Sequence, residues 1–418
     1  MLRFCFLLSF VAIVLIFKIS NAATAAVTGD TSKSDRIALT KEIILERNSA
    51  SSQPFTINSF GDGDLLITAA ENHPIHKASV TRVDSNGKVK WRYYASLQVL
   101  PENLSASPEF HGAIVMPDSS SFECGQMVRQ EPGFHPGIAG HESLLAMLTH
   151  LDADGRLLGE QVLHPQSEPD HAYGSFSRCA HVADTVLALG IAFRATPKPA
   201  GTQGPPGKLD YFYWIMAFDE AGNAKWEHLF PISSKLVGLP HDISQIQETK
   251  NGFAFAAARR GMTEVVSMSL QGDMRAQTVL DGMFSIARPT FSSPDLQLTA
   301  LVTDKVVSVT LDSNLHETKR FSVDHEVGEA KIAYRSSDQS LVLFGDAIIP
   351  DKPDYNTRIS ILDSTLQHSQ DFYFVPKDNS AWVEAATPTS GTNDFAAIRI
   401  IDKPAVTHDL VLDFVHVR

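Results

Sequence analysis

The chain has 418 residues, 43% of them hydrophobic, with 35 basic side chains against 48 acidic ones and a net charge of −13. That is enough apolar material for a sizeable core, and the length leaves room for one large β domain or two ordinary ones. The acidic balance disfavours nucleic acid and anionic membrane surfaces as partners, because both require basic patches.

Arg3 precedes the apolar run Phe4 to Phe17, and Ser20 and Ala22 supply small residues behind it. This order predicts a secretory signal peptide over residues 1–22, cleaved after Ala22. The run is short for a membrane span and no second one follows, so no membrane insertion is expected after cleavage. The compartment expected is exported, periplasmic or secreted. Residues 23–35 are small and polar and read as a flexible lead-in, leaving 36–418 for the folded part.

Within that part a phrase repeats. Asp84, Gly87 and Trp91 of "VTRVDSNGKVKWRYY" return as Asp219, Gly222 and Trp226 of "IMAFDEAGNAKWEHL". The alternating strand that leads into the phrase recurs seven times, ending at Asp84, Asp152, Asp219, Gly272, Asp312, Asp363 and Arg418. Turn sequences such as Asp-Ser-Asn-Gly follow the first six copies, where Asp bonds its own backbone and Gly accepts a positive φ. A short apolar strand precedes each copy, for example "DLLITAA", "GAIVM" and "TVLALGIA", and most have a further strand-like piece upstream of it. Four strands at a spacing of roughly 57 residues make a propeller blade. The last copy stops after its third strand, and "RIALTKEIIL", Arg36 to Leu45, is a strand with no blade of its own. Pairing the two closes the ring and removes two sheet edges. The fold expected is all-β: a single β-propeller of seven four-stranded blades, with an N-terminal strand closing the last one, and a monomer. Trp91 and Trp226 fall on the outer strand, where a large ring covers the gap to the next blade.

Asp84-Ser85-Asn86-Gly87-Lys88-Val89-Lys90-Trp91 resembles the D-x-x-x-G-K-x-x-W blade phrase of quinoprotein-type (PQQ-like) propellers, one residue shorter before its Gly. The resemblance is spread along the chain and sharp in the first and third blades. It implies the propeller fold. Members of that group include quinone- and calcium-holding dehydrogenases and non-enzymatic envelope assembly factors. The adjacent cysteine pair that many of those dehydrogenases carry is absent here, so no cofactor is expected. The sialidase turn motif S-x-D-x-G-x-x-W is not reproduced at its spacing either.

Chemistry in a propeller concentrates on its long loops. These are expected at Pro117 to Glu142, Gln166 to Gly174, Arg194 to Lys208 and Asp346 to Tyr355, on the face where inner strands begin. The first two carry His135, His141, Glu142, Asp170 and His171, and His241 lies at a later connection on the same face. Imidazoles and carboxylates on adjacent loops suit a binding surface, a divalent metal or acid–base work near neutral pH. Cys124 and Cys179, the two cysteines left after cleavage, read as one disulfide or as two free thiols. Arg178, Arg288, Lys331 and Glu384, on inner strands, are candidates to line the central channel. Two functions fit: a non-catalytic platform that binds a protein or glycan through the loops of blades 2 and 3, or a propeller enzyme. The enzyme would be a carbohydrate-directed hydrolase or lyase, metal-assisted or not, with its site at the channel mouth.

Overall fold

The computed structural model describes residues 37–417 except 50–51, 72–76, 96–104, 131–141, 167–171, 196–208, 234–241, 290–294, 303–304, 325–327, 337, 348–355, 364–368, 375–379, 390–392 and 404–406. The first strand, β1 (Ile37–Ser49), belongs to the last blade. Blade 1 is β2 (Ser52–Ser59), β3 (Leu65–Glu71), β4 (Lys77–Val83) and β5 (Val89–Tyr94). Blade 2 is β6 (Ser105–Val115), β7 (Ser121–Gln130), β8 (Glu142–Leu151) and β9 (Leu157–Leu163). Blade 3 is β10 (Ala172–Val182), β11 (Thr185–Ala195), β12 (Leu209–Phe218) and β13 (Ala224–Pro231).

Blade 4 splits its inner strand into β14 (Asp242–Ile243) and β15 (Gln247–Thr249), followed by β16 (Gly252–Arg259), β17 (Met262–Met268) and β18 (Met274–Asp281). In blade 5 the inner strand β19 (Ser285–Ile286) is followed by β20 (Arg288–Pro289), then β21 (Leu296–Val302), β22 (Lys305–Leu311) and β23 (Glu317–Asp324). Blade 6 is β24 (Gly328–Arg335), β25 (Leu341–Ala347), β26 (Asn356–Leu362) and β27 (Ser369–Phe374). Blade 7 is β28 (Ala381–Pro388), β29 (Asp394–Lys403), β30 (Thr407–Val417) and then β1, paired antiparallel from Ile37 opposite Val417 to Ser49 opposite His408. The protein is a seven-bladed β-propeller closed as the orphan strand predicts.

The turn chemistry follows from the sequence. Asp84 Oδ1 accepts from the N–H groups of Asn86 and Lys88 at 2.8 and 2.9 Å, and Asp219 Oδ1 does the same for Ala221 and Asn223 at 3.0 and 2.8 Å. Gly87 and Gly222 close these turns at φ 77° and 87°, where a Cβ is disfavoured. Each Trp then reaches across to the turn of the next blade. Trp91 Nε1 donates to Ala153 O and Trp226 Nε1 to Leu270 O, both at 3.0 Å. Asp, Gly and Trp thus form one device that ties a blade to its neighbour.

The hydrophobic core lies between blades. Seven buried clusters fill the seven seams, from Phe60, Phe110 and Met147 between blades 1 and 2 to Ile57, Ala396 and Leu412 between blades 7 and 1. Alternate residues of each sheet face opposite seams, so strands of the middle pair are buried on both faces, as in β26 and β16.

Blade 2 differs from expectation. The segment Pro117 to Glu142 is no single loop, because Ser121–Gln130 forms β7, and "GAIVM" ends the inner strand β6. Glu123 and Gln126 interrupt the apolar alternation of β7, which hides the strand in the sequence. The connection itself spans 131–141, with Gln130 opposite Glu142 at its ends. Cys124 accordingly sits on a central strand.

Candidate functional site

Inner strands are the free edges of the seven sheets, and their regular side chains point into the seams. The fold breaks that regularity at one level. Register slips fall at Phe55 in β2, His111 in β6, Ser177 in β10, Lys331 in β24 and Glu384 in β28. Blades 4 and 5 interrupt their inner strands at about the same height, around Gln245 and Ala287. A β-bulge turns a side chain out of its sheet, so the waist of the channel receives polar groups that flat strands would bury. Opposite the bulges of β6 and β10 stand Gly125 and Gly190, where an added Cβ would lie 1.8 Å from Glu109 O and 1.7 Å from Ser175 O.

The result is a cavity of about 170 Å³ on the ring axis, lined from all seven blades. Asn58, Arg178, Gln245, Arg288, Tyr334 and Glu384 supply its polar surface. Three of the four charged residues predicted for the channel are therefore there. Lys331 occupies the bulge of β24, and its side chain lies outside the described residues. Arg178 Nη1 donates to Ser177 O at 2.8 Å and to His111 O at 3.4 Å, bridging blades 3 and 2. His111 Nε2 lies 3.1 Å from Glu109 Oε2, which also accepts from Gln126 Nε2 at 2.7 Å.

Across the cavity, Trp382 Nε1 donates to Glu384 Oε2 at 3.1 Å. Tyr334 donates to Ala386 O at 2.6 Å, and burial raises its phenol pKa. Arg288 reaches the axis because β20 leaves its own blade and pairs parallel with β24, Arg288 opposite Tyr334. Its guanidinium carbon stands 5.7 Å from the centre of the Tyr334 ring.

The predicted loop residues stand differently. His135, His141, Asp170, His171 and His241 lie outside the described residues, as does the side chain of Glu142, whose backbone opens β8. The strand ends that carry them share one rim. Connections 131–141, 167–171, 196–208 and 234–241 all leave from the edge where inner strands begin, over blades 2 to 4. The opposite rim carries tight turns such as Asp84–Lys88 and Val182–Thr185. Among the described residues no three His, Cys, Asp or Glu side chains converge as metal ligands would.

Cys124 and Cys179 come together across the seam of blades 2 and 3, both buried and both free thiols. Cys179 Sγ donates to Phe122 O at 3.7 Å, and burial pushes its thiol pKa well up. Glu123 beside them is fully buried and pushed up to about 8 by burial, which makes it a neutral carboxylic acid at pH 7. In the sequence this group is visible only as a charged residue within a stretch that reads as loop.

No family model matches the chain, and no curated protein sequence matches it. Solved structures do. A protein of unknown function from Dyadobacter fermentans DSM 18053 is similar at 12% identity and TM-score 0.48 over 91% of this chain and 99% of that one. The parainfluenza virus 5 hemagglutinin-neuraminidase ectodomain is similar at 10% and 0.49, over 92% and 85%. The Dos1 propeller is similar at 10% and 0.46, over 87% and 78%.

Proposed function

We propose that the protein is an exported, monomeric, non-catalytic platform that binds a macromolecular partner, a protein or a glycan, through the loops over blades 2 and 3. The observation that carries this reading is the asymmetry of the two rims. The long connections 131–141 and 196–208 join the second and third strands of adjacent blades, on the rim opposite the tight turns. A rigid ring that varies its loops on one side offers a broad contact surface at little entropic cost on binding. The loops hold His135, His141, Glu142, Asp170 and His171, and His241 follows on the same rim.

Export rests on the apolar N-terminal run, and monomeric state on the closure of every blade within one chain. The same proposal joins Cys124 and Cys179 as a disulfide in the exported protein, supported by their apposition in one seam. The resemblance to the quinoprotein-type propeller group as a whole rests on the Asp84–Trp91 phrase alone.

The test is a binding comparison between the parent and a variant whose residues 131–141 are replaced by a short Gly-Ser link. A partner captured from the host envelope, then purified and shown to bind the parent directly, should lose at least about tenfold in affinity to the variant. Equal binding by both would remove blades 2 and 3 from the contact. A stoichiometric metal that disappears on substituting His135, His141 and His171 would favour the enzyme reading instead.

A further inference from the structure

We propose that the axial cavity is a binding site for a small hydroxylated carboxylate, separate from the partner surface on the loops. The charge distribution is the first reason. A chain with 48 acidic and 35 basic residues nonetheless places two arginines, Arg178 and Arg288, and one carboxylate, Glu384, among the described residues around its axis. Low-dielectric walls focus such a field and draw anions inward.

Arg288 is the second reason. No carboxylate pairs with it among the described residues, and its side chain lines the cavity instead of a seam. The fold spends a break in blade 5 to put it there, since β20 abandons its own sheet for β24. A guanidinium held against an aromatic ring offers its fork of N–H donors to a carboxylate in two parallel hydrogen bonds.

The surrounding groups define the rest of the ligand. The Gln245 amide and the Ser285 hydroxyl line the cavity and make no side-chain hydrogen bond among the described residues. Asn58 spends its Nδ2 on Ala113 O at 3.0 Å and keeps its carbonyl oxygen as an acceptor. These groups match hydroxyls. Ile57, Ile286 and Ile332 complete the lining, the first two with their side chains packed in the seams. At about 170 Å³ the space is below the roughly 300–1,000 Å³ of drug-sized sites, so the ligand is of hydroxy-acid or sugar-acid size.

Titration calorimetry of the full chain with lactate, D-gluconate and D-glucuronate tests this, with glucose as the uncharged control. At least one of the three carboxylates should bind with one-to-one stoichiometry and raise the unfolding midpoint, while glucose does neither. Arg288→Met should weaken that binding by roughly 10- to 100-fold, the usual worth of a charged hydrogen bond, and Ser285→Ala by less. Unfolding midpoints without ligand establish that both variants fold, and Ser285→Ala serves alone if Arg288→Met does not. Failure of all three carboxylates, or binding to the folded variants undiminished, would overturn the proposal. Because the loop variant leaves the axis untouched, it should bind the carboxylate like the parent, so this site and the partner surface can fail independently.

Discussion

Strand β7 carries Glu123 into the interior with no solvent exposure and one hydrogen bond, from Ser121 Oγ at 2.6 Å. Its second oxygen has no partner among the described residues. Thr149 stands opposite in β8 and His150 next to it, with the His150 pKa lowered by burial. Burial therefore holds the Glu123 carboxyl in its acid form, pushed up to about 8 from an ordinary 4.5. The folded value is the higher one, so its stabilising effect is complete below about pH 4.5 and is lost as pH rises through about 8. On the order of 5 kcal/mol of pH-dependent stability rides on this group, at 1.36 kcal/mol per unit. Glu123→Gln keeps the shape and removes the proton, so urea midpoints at pH 5 and pH 8 should lie closer together in the variant than in the parent. A variant as pH-sensitive as the parent would locate the dependence elsewhere.

At the scale of elements, the bulged inner strands decide what reaches the axis, and the bulges of β6 and β10 rest on Gly125 and Gly190 in the strands behind them. A Cβ on Gly190 would sit 1.7 Å from Ser175 O, which is backbone and cannot swing aside. Gly190→Ala should cost about 2–4 kcal/mol in denaturant unfolding, as overpacking against main chain does. Gly159 in β9 has nothing within 4 Å of its virtual Cβ, so Gly159→Ala should change stability by less than about 0.5 kcal/mol. Similar losses at both positions would mean that the bulge is not what Gly190 protects.

Much of this scale was legible. Asp84, Gly87 and Trp91 announced turn, reversal and seam because local chemistry sets each of them. The bulges were not legible, since a slip of one residue leaves period-two alternation intact on either side. Strand β7 reads as loop for a different reason: its Glu123 and Gln126 look solvated in a sequence and are positioned by neighbouring strands that no local pattern reveals. Arg178, Arg288 and Glu384 were recognisable as charges on inner strands, and only the bulges and the detour of β20 explain why they reach the channel. The loop residues from His135 to His241 were legible as a rim and as nothing finer.

For the whole molecule, a ring of blades holds together only if its last seam closes. Strand β1 supplies the outer strand of blade 7, and two features fasten it. Ile37 joins the cluster between blades 6 and 7, while Ile43 and Leu45 pack on the one between blades 7 and 1. Beneath them Arg399 donates from Nη2 to Glu42 at 2.6 Å and pairs through Nε with Asp413 at 2.8 Å, the latter only 2% exposed. Removing β1 takes Glu42 from this triad, uncovers both clusters and opens the edge of β30 for pairing with another chain. A chain beginning at Ser52 should lose its cooperative transition and associate, as size-exclusion chromatography and far-ultraviolet circular dichroism would report. A synthetic peptide of residues 37–49 should restore the monomer when added in excess, because every hydrogen bond from Ile37–Val417 to Ser49–His408 can form between separate chains. A truncated chain that stays monomeric with an unchanged midpoint would mean that the blades hold one another without the closure, and the ring would then be fastened by its seams alone.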